Sequence, residues 1–328
     1  MKVYFDKENL VSYISNKQSE DKTSFSREML KRKCKILFTF PKDEVVDNEK
    51  VKMWLTTMSD GMRKDMSWNV NYPDRPLKAN SLIKKGIDAL QSVYLLNDDN
   101  VKEIQDKGIV LIGGIGEELN VLSSLWFGDM QYIKDIFEKV NKWDDILPYT
   151  SPTSDIIIID NYLVHTEELI ECNLIKILKT LCYYSSNQKL NIVLFVEKDD
   201  KRLRDYYENL KEKIEKVVKG KTSISPNVAI VAAPKSIIGE HDRTILTNYK
   251  MFVSGDSWNY FDSRNKKITK GRHLTVQSLV DDDVKKKADK LLEDMRQVFY
   301  MILQDKRNYV YIKSTFKSIF LDYPKRNI

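Results

Sequence analysis

His241 and Arg243 are the residues of this chain whose types and spacing most directly offer chemistry. They alternate, so in an extended strand both side chains point to the same face. Attack by an imidazole on a phosphodiester gives a covalent phosphohistidine, and a cation must stabilise the oxygens that gain charge. A guanidinium can do this, and its planar fork grips phosphate bidentately. Immediately downstream the chain turns basic. From Ser263 onward it carries 16 Lys and Arg against 8 Asp and Glu, beginning with Arg264, Lys266, Lys267, Lys270 and Arg272, although the whole chain is only +6. Such a field favours a polyanion, either nucleic acid or an anionic lipid surface. The plainer alternative is a set of solvated lysine-rich faces. Tyr249, Phe252, Trp258, Tyr260 and Phe261 crowd the same stretch, and with the cations they could stack bases while the backbone is held. Phe252 is expected in the core, and Trp258, in a polar turn, is the one expected to be exposed.

The longer pattern is His241-x-Arg243-x4-Asn248-x6-Gly255, with Ser257 and Asn259 beyond it. It resembles the signature of the phospholipase D-like superfamily, His-x-Lys-x4-Asp-x6-Gly-Ser-x-Asn, with Ser257 and Asn259 fitting at a one-residue offset. The His-Asp-Arg spelling is most similar to the C-terminal domain of the MIT-domain trafficking proteins, a phospholipase D-like fold that is not a typical hydrolase. The resemblance implies that His241 takes the nucleophile position, Arg243 that of the phosphate-binding lysine and Asn248 that of the aspartate. An asparagine there cannot orient an imidazole by charge. The resemblance also implies chemistry without metal or cofactor, and a second histidine to protonate the leaving group. The other two histidines, His165 and His273, begin no second His-x-Lys, so that group would have to come from another subunit of a homodimer. The function expected is recognition of a phosphodiester backbone, in DNA or RNA, in a setting such as bacterial defence or RNA processing. The alternatives are a non-catalytic module for a protein partner or an anionic membrane, and a metal-independent nuclease working through His241.

These residues need a scaffold, and the chain offers one. Residues 109–112, 155–160, 191–196 and 228–232 are short apolar runs of the kind buried on both sheet faces. Helical patterns over 117–142, 167–184 and 200–219 lie between them, which implies crossovers and a largely parallel sheet. After the fourth run, 244–249 and 251–254 fit adjoining antiparallel strands, and a helix over 281–303 follows an acidic start suited to its dipole. The fold expected is therefore a mixed, largely parallel α/β sheet with flanking helices, a phospholipase D-like half over 101–328. Before it, 1–100 forms an α/β region with strands at 3–5, 34–40 and 92–96. Residues 309–313 fit an edge strand.

Other constellations weigh less. Gly113-Gly-Ile-Gly116 follows a strand, but the third glycine of a dinucleotide fingerprint is missing, and Glu117 and Glu118 would repel a pyrophosphate. A tight strand-to-helix turn is expected there. Asp160, at the C-terminal end of a buried strand, could serve a ligand at that edge but fits a turn or cap better. Cys34, Cys172 and Cys182 have no metal-like spacing, and an odd count argues against a disulfide framework. A 42% hydrophobic, 31% charged composition with no spanning-length apolar run fits a globular cytoplasmic protein.

Overall fold

The computed structural model describes all residues except 17–19, 60–64, 71–75, 128–130, 184–188, 222–224, 240–242, 269–272, 305–308, 313–319 and 321–328. The chain is mixed α/β, with a parallel sheet in one compact unit and a mixed sheet in the other. Unit 1 comprises Met1–Tyr132 with Ser278–Asp283, and unit 2 comprises Ile133–Gln277 with Val284–Ile328. The boundary expected near residue 100 therefore falls inside unit 1. The strand over 110–112, beyond that boundary, pairs with the strand over 93–95 before it.

Unit 1 holds β1 (Lys2–Phe5), β2 (Lys35–Phe38), β3 (Met66–Ser67), β4 (Val93–Leu95) and β5 (Val110–Ile112), all parallel in the order β3-β2-β1-β4-β5. The apolar triplets of β1, β2, β4 and β5 are buried, as parallel strands covered on both faces must be, while the two-residue β3 is partly exposed. The strand order reverses between β1 and β4, where an open parallel sheet usually leaves a crevice. Here Asp6 closes it: one carboxylate oxygen caps the helix Lys7–Ser15 through the Asn9 N–H, and the other accepts the Asn97 N–H beyond β4. The glycine turn after β5 is tight, as expected. A Cβ at Gly113 would run into the Val101 side chain, and Gly116 sits at φ +103°. The buried Glu118 carboxylate accepts the Gly116 N–H, so an acid occupies the place a phosphate would need.

Unit 2 holds β6 (Ile133–Asp135), β7 (Asp155–Ile159), β8 (Lys189–Glu197), β9 (Ser225–Ala233), β10 (Arg243–Leu246), β11 (Lys250–Ser254), β12 (Leu274–Ser278) and β13 (Val310–Ile312). The sheet order is β13-β9-β8-β7-β10-β11-β12-β6. β7, β8 and β9 are parallel, and β10 runs antiparallel to both β7 and β11. β13 is an antiparallel edge strand on β9, where the 309–313 run predicts one. The helix Asp282–Gln304 buries Val284, Ala288, Leu292, Met295, Val298, Phe299 and Ile302, an apolar stripe at helical spacing.

The 117–142 run does not form one helix. It gives the helix Glu118–Ser124, then β6 paired with β12, then a 3-10 turn at Phe137–Lys139. Ile133 pairs across to Gln277, a long-range partner that local helical spacing cannot anticipate. Among the described residues no helix is long and apolar enough to cross a membrane.

Candidate functional site

Register places Arg243. Thr244 pairs with Ile159, the last residue of β7, so Arg243 stands level with Asp160 at the carboxyl edge of the three parallel strands. Ligands gather at that edge in open α/β sheets. The partly buried Arg243 guanidinium lies 5.8 Å from the centre of the Tyr162 ring. It makes no ion pair or hydrogen bond among the described residues.

Asp160 organises the edge. Its carboxylate accepts the Tyr162 N–H at 2.8 Å, the Ser257 hydroxyl at 2.8 Å and the Trp258 N–H at 2.6 Å. Burial pushes its pKa up from the ordinary carboxylate value, against the pull of those donors and of the nearby Arg243 charge. Asp160 is thus the turn-holding residue that its strand-end position suggests. The Asn259 side-chain amide donates to the Tyr162 carbonyl at 3.2 Å, so the turn that follows β11 folds over the same edge as Arg243.

The rest of the expected site divides. His241, Lys270 and Arg272 lie outside the described residues. Asn248 does not join Arg243. The strand expected over 244–249 ends at Leu246, and Asn248 lies in the turn between β10 and β11, at the opposite edge of the sheet from Arg243. There the buried Asn248 carbonyl oxygen accepts the Thr153 hydroxyl at 2.7 Å and the N–H groups of Ser154 at 3.0 Å and Asp155 at 3.2 Å. Its role is to clamp the start of β7.

Trp258 is not exposed. Only 1% of it meets solvent, and its indole ring lies 6.0 Å from Trp143 and 6.3 Å from Tyr260. The capture of the Trp258 backbone by Asp160 turns the side chain into this cluster, which Phe261 joins against Trp143. Tyr249, Phe252, Tyr260 and Phe261 are buried as well, so the aromatics of the motif are core and offer no base-stacking platform.

The cations differ from one another. Arg264 is exposed but paired with Asp262 at 3.2 Å. Lys267 sits 3.6 Å from the centre of the Phe137 ring and donates to the Phe137 carbonyl at 2.5 Å, and burial lowers its pKa. It is fastened to its own fold and not presented to a ligand. Lys266 remains exposed.

Sequence reasoning missed the loop after β7. The His165 ring meets the Tyr162 ring edge-on at 5.2 Å, so one tyrosine touches both an arginine and a histidine. Arg202 holds this loop by donating to the carbonyls of Val164 and His165, and the Tyr206 hydroxyl donates to Val164 at 2.6 Å. The Arg202 guanidinium in turn lies 4.1 Å above the Tyr206 ring. The available signal was position: His165 follows a buried strand at the ligand-binding edge, although it starts no His-x-Lys. Among the described residues no three His, Cys, Asp or Glu side chains converge as metal ligands would.

No model of a known protein family matches the chain, and no curated protein matches it significantly.

Proposed function

We propose that unit 2 recognises a phosphodiester backbone, that of a nucleic acid, at the carboxyl edge around Arg243. The observation that carries this reading is the state of Arg243 itself. A partly buried guanidinium with no carboxylate or carbonyl partner among the described residues lacks the compensation that buried charges need. A phosphate oxygen pair supplies it in the bidentate geometry that arginine favours. Asp160, the acid level with it on β7, has its oxygens turned to Tyr162, Ser257 and Trp258. The resemblance to the phospholipase D-like signature supports the same role, since it sets Arg243 at the phosphate-binding position. The basic excess beyond Ser263, with Lys266 exposed, adds a field that draws a polyanion.

Recognition is preferred to cleavage because Asn248, at the position of the motif aspartate, is engaged at the opposite sheet edge. The test compares labelled single- and double-stranded oligonucleotides with anionic liposomes under rising salt. Salt-sensitive oligonucleotide binding without turnover, and weaker binding to liposomes, is the expected result. Liposome binding that exceeds oligonucleotide binding overturns the reading in favour of a membrane module.

A further inference from the structure

We propose that His165 is a second phosphate ligand of the Arg243 site, supplied by the same chain, with both groups beside the Tyr162 ring. This rests on the reading of unit 2 as a phosphodiester-recognition domain and names a residue that the motif does not contain.

The Tyr162 ring centre is 5.8 Å from the Arg243 guanidinium carbon and 5.2 Å from the centre of the His165 ring. The two groups are therefore no more than about 11 Å apart, the two separations laid end to end. Two hydrogen bonds of about 3 Å each, one from either side, reach a phosphate or neighbouring phosphates within that span. Neither His165 ring nitrogen has a hydrogen-bond partner among the described residues, and the residue is only partly buried. Its backbone, by contrast, is pinned: the His165 N–H donates to the Tyr162 carbonyl at 3.2 Å, and its own carbonyl accepts from Arg202. An imidazole held by its backbone while its nitrogens stay open is set to bind something outside the fold. When protonated, both nitrogens donate and the ring carries charge, so the contact strengthens as pH falls.

The surrounding charges are accounted for. Asp160 and Tyr162 come from the end of β7 and Arg243 comes from β10. Arg202 is ion-paired with Asp199 at 3.2 Å, and Tyr206 donates to Val164. Beyond His165, Glu167 is paired with Lys213, and Glu168 accepts the Ser263 N–H at 3.1 Å. Any histidine can contribute to a pH dependence in this range, so the informative quantity is the difference between wild type and a His165 variant.

The experiment measures the affinity of full-length protein for a labelled single-stranded DNA oligonucleotide from pH 8 to pH 5.5. His165→Gln and Arg243→Ala are run beside wild type, with each fold checked by circular dichroism and thermal melting. Wild-type affinity should rise about tenfold more than that of His165→Gln as pH falls. Arg243→Ala should weaken binding at every pH. Mixing His165→Gln with Arg243→Ala protein should restore nothing, because each chain carries its whole site. A folded His165→Gln protein with the full wild-type pH dependence overturns the role of His165 while leaving the recognition reading intact. Restored binding in the mixture overturns the claim that one chain supplies both ligands. No binding by wild type at any pH overturns the recognition reading, and this inference with it.

Discussion

The Asp160 carboxylate accepts the backbone N–H of Trp258 at 2.6 Å across 98 residues of chain. With the Ser257 hydroxyl on the same oxygen, it ties the turn beyond β11 to the end of β7. That tie buries Trp258 and leaves Arg243 beside Tyr162 at the rim.

Asp160→Ala should therefore leave the donors of Tyr162, Ser257 and Trp258 without an acceptor. A loss of about 3 kcal/mol in unfolding free energy is expected from urea denaturation. Tryptophan emission should move to longer wavelength as Trp258 meets water. A variant within about 0.5 kcal/mol of wild type, with unchanged emission, would show that the turn is held by packing alone.

Asn248→Ala removes one acceptor shared by three donors at the start of β7. Stability should fall by about 2–3 kcal/mol, while oligonucleotide affinity of the folded protein stays unchanged. Lost affinity at unchanged stability would place Asn248 in the binding site after all.

Lys250 is fully buried, and burial lowers its pKa from 10.5 to about 7. Unfolded chains therefore take up a proton that the fold refuses between about pH 10.5 and 7, so this residue makes stability rise with pH across that window. Below about pH 7 both states are protonated and the dependence ends. In Lys250→Met the unfolding free energy should rise less steeply with pH from 7 to 10 than in wild type. Parallel pH profiles for the two proteins would contradict the burial assignment.

Much of this architecture was legible in the residues. Ile156 to Ile159, Ile192 to Val196 and Val228 to Ala232 are continuous apolar runs, which suit strands covered on both faces. The apolar stripe and acidic start of Asp282–Gln304 mark a helix in the same direct way. The separation of Arg243 from Asn248 follows from the hairpin, because β10 carries the chain from Arg243 across the sheet and Asn248 sits in the turn at its far end. The burial of Trp258 was not legible. Ser257 and Asn259 beside it suggest an exposed turn, and only the distant Asp160 makes it a buried one. His165 has no neighbouring lysine to mark it in the sequence, and what sets it apart is the loop that Arg202 and Tyr206 hold in place.

The basic residues beyond Ser263 should not act alike. Lys267→Ala should cost stability through its lost contact with Phe137 and leave the salt dependence of oligonucleotide binding as it was. Lys266→Ala should do the reverse, with little change in melting temperature and a shallower salt dependence. Equal effects of the two substitutions on binding would mean that the downstream charge acts only as a diffuse field.

Recognition as proposed requires Arg243 to contact a backbone phosphate. Its most direct test is the slope of log affinity against log salt for one oligonucleotide, in wild type and in Arg243→Ala. Loss of that contact should weaken binding across unrelated sequences and reduce the slope by about one. Identical affinity and slope in a correctly folded Arg243→Ala protein would contradict the account.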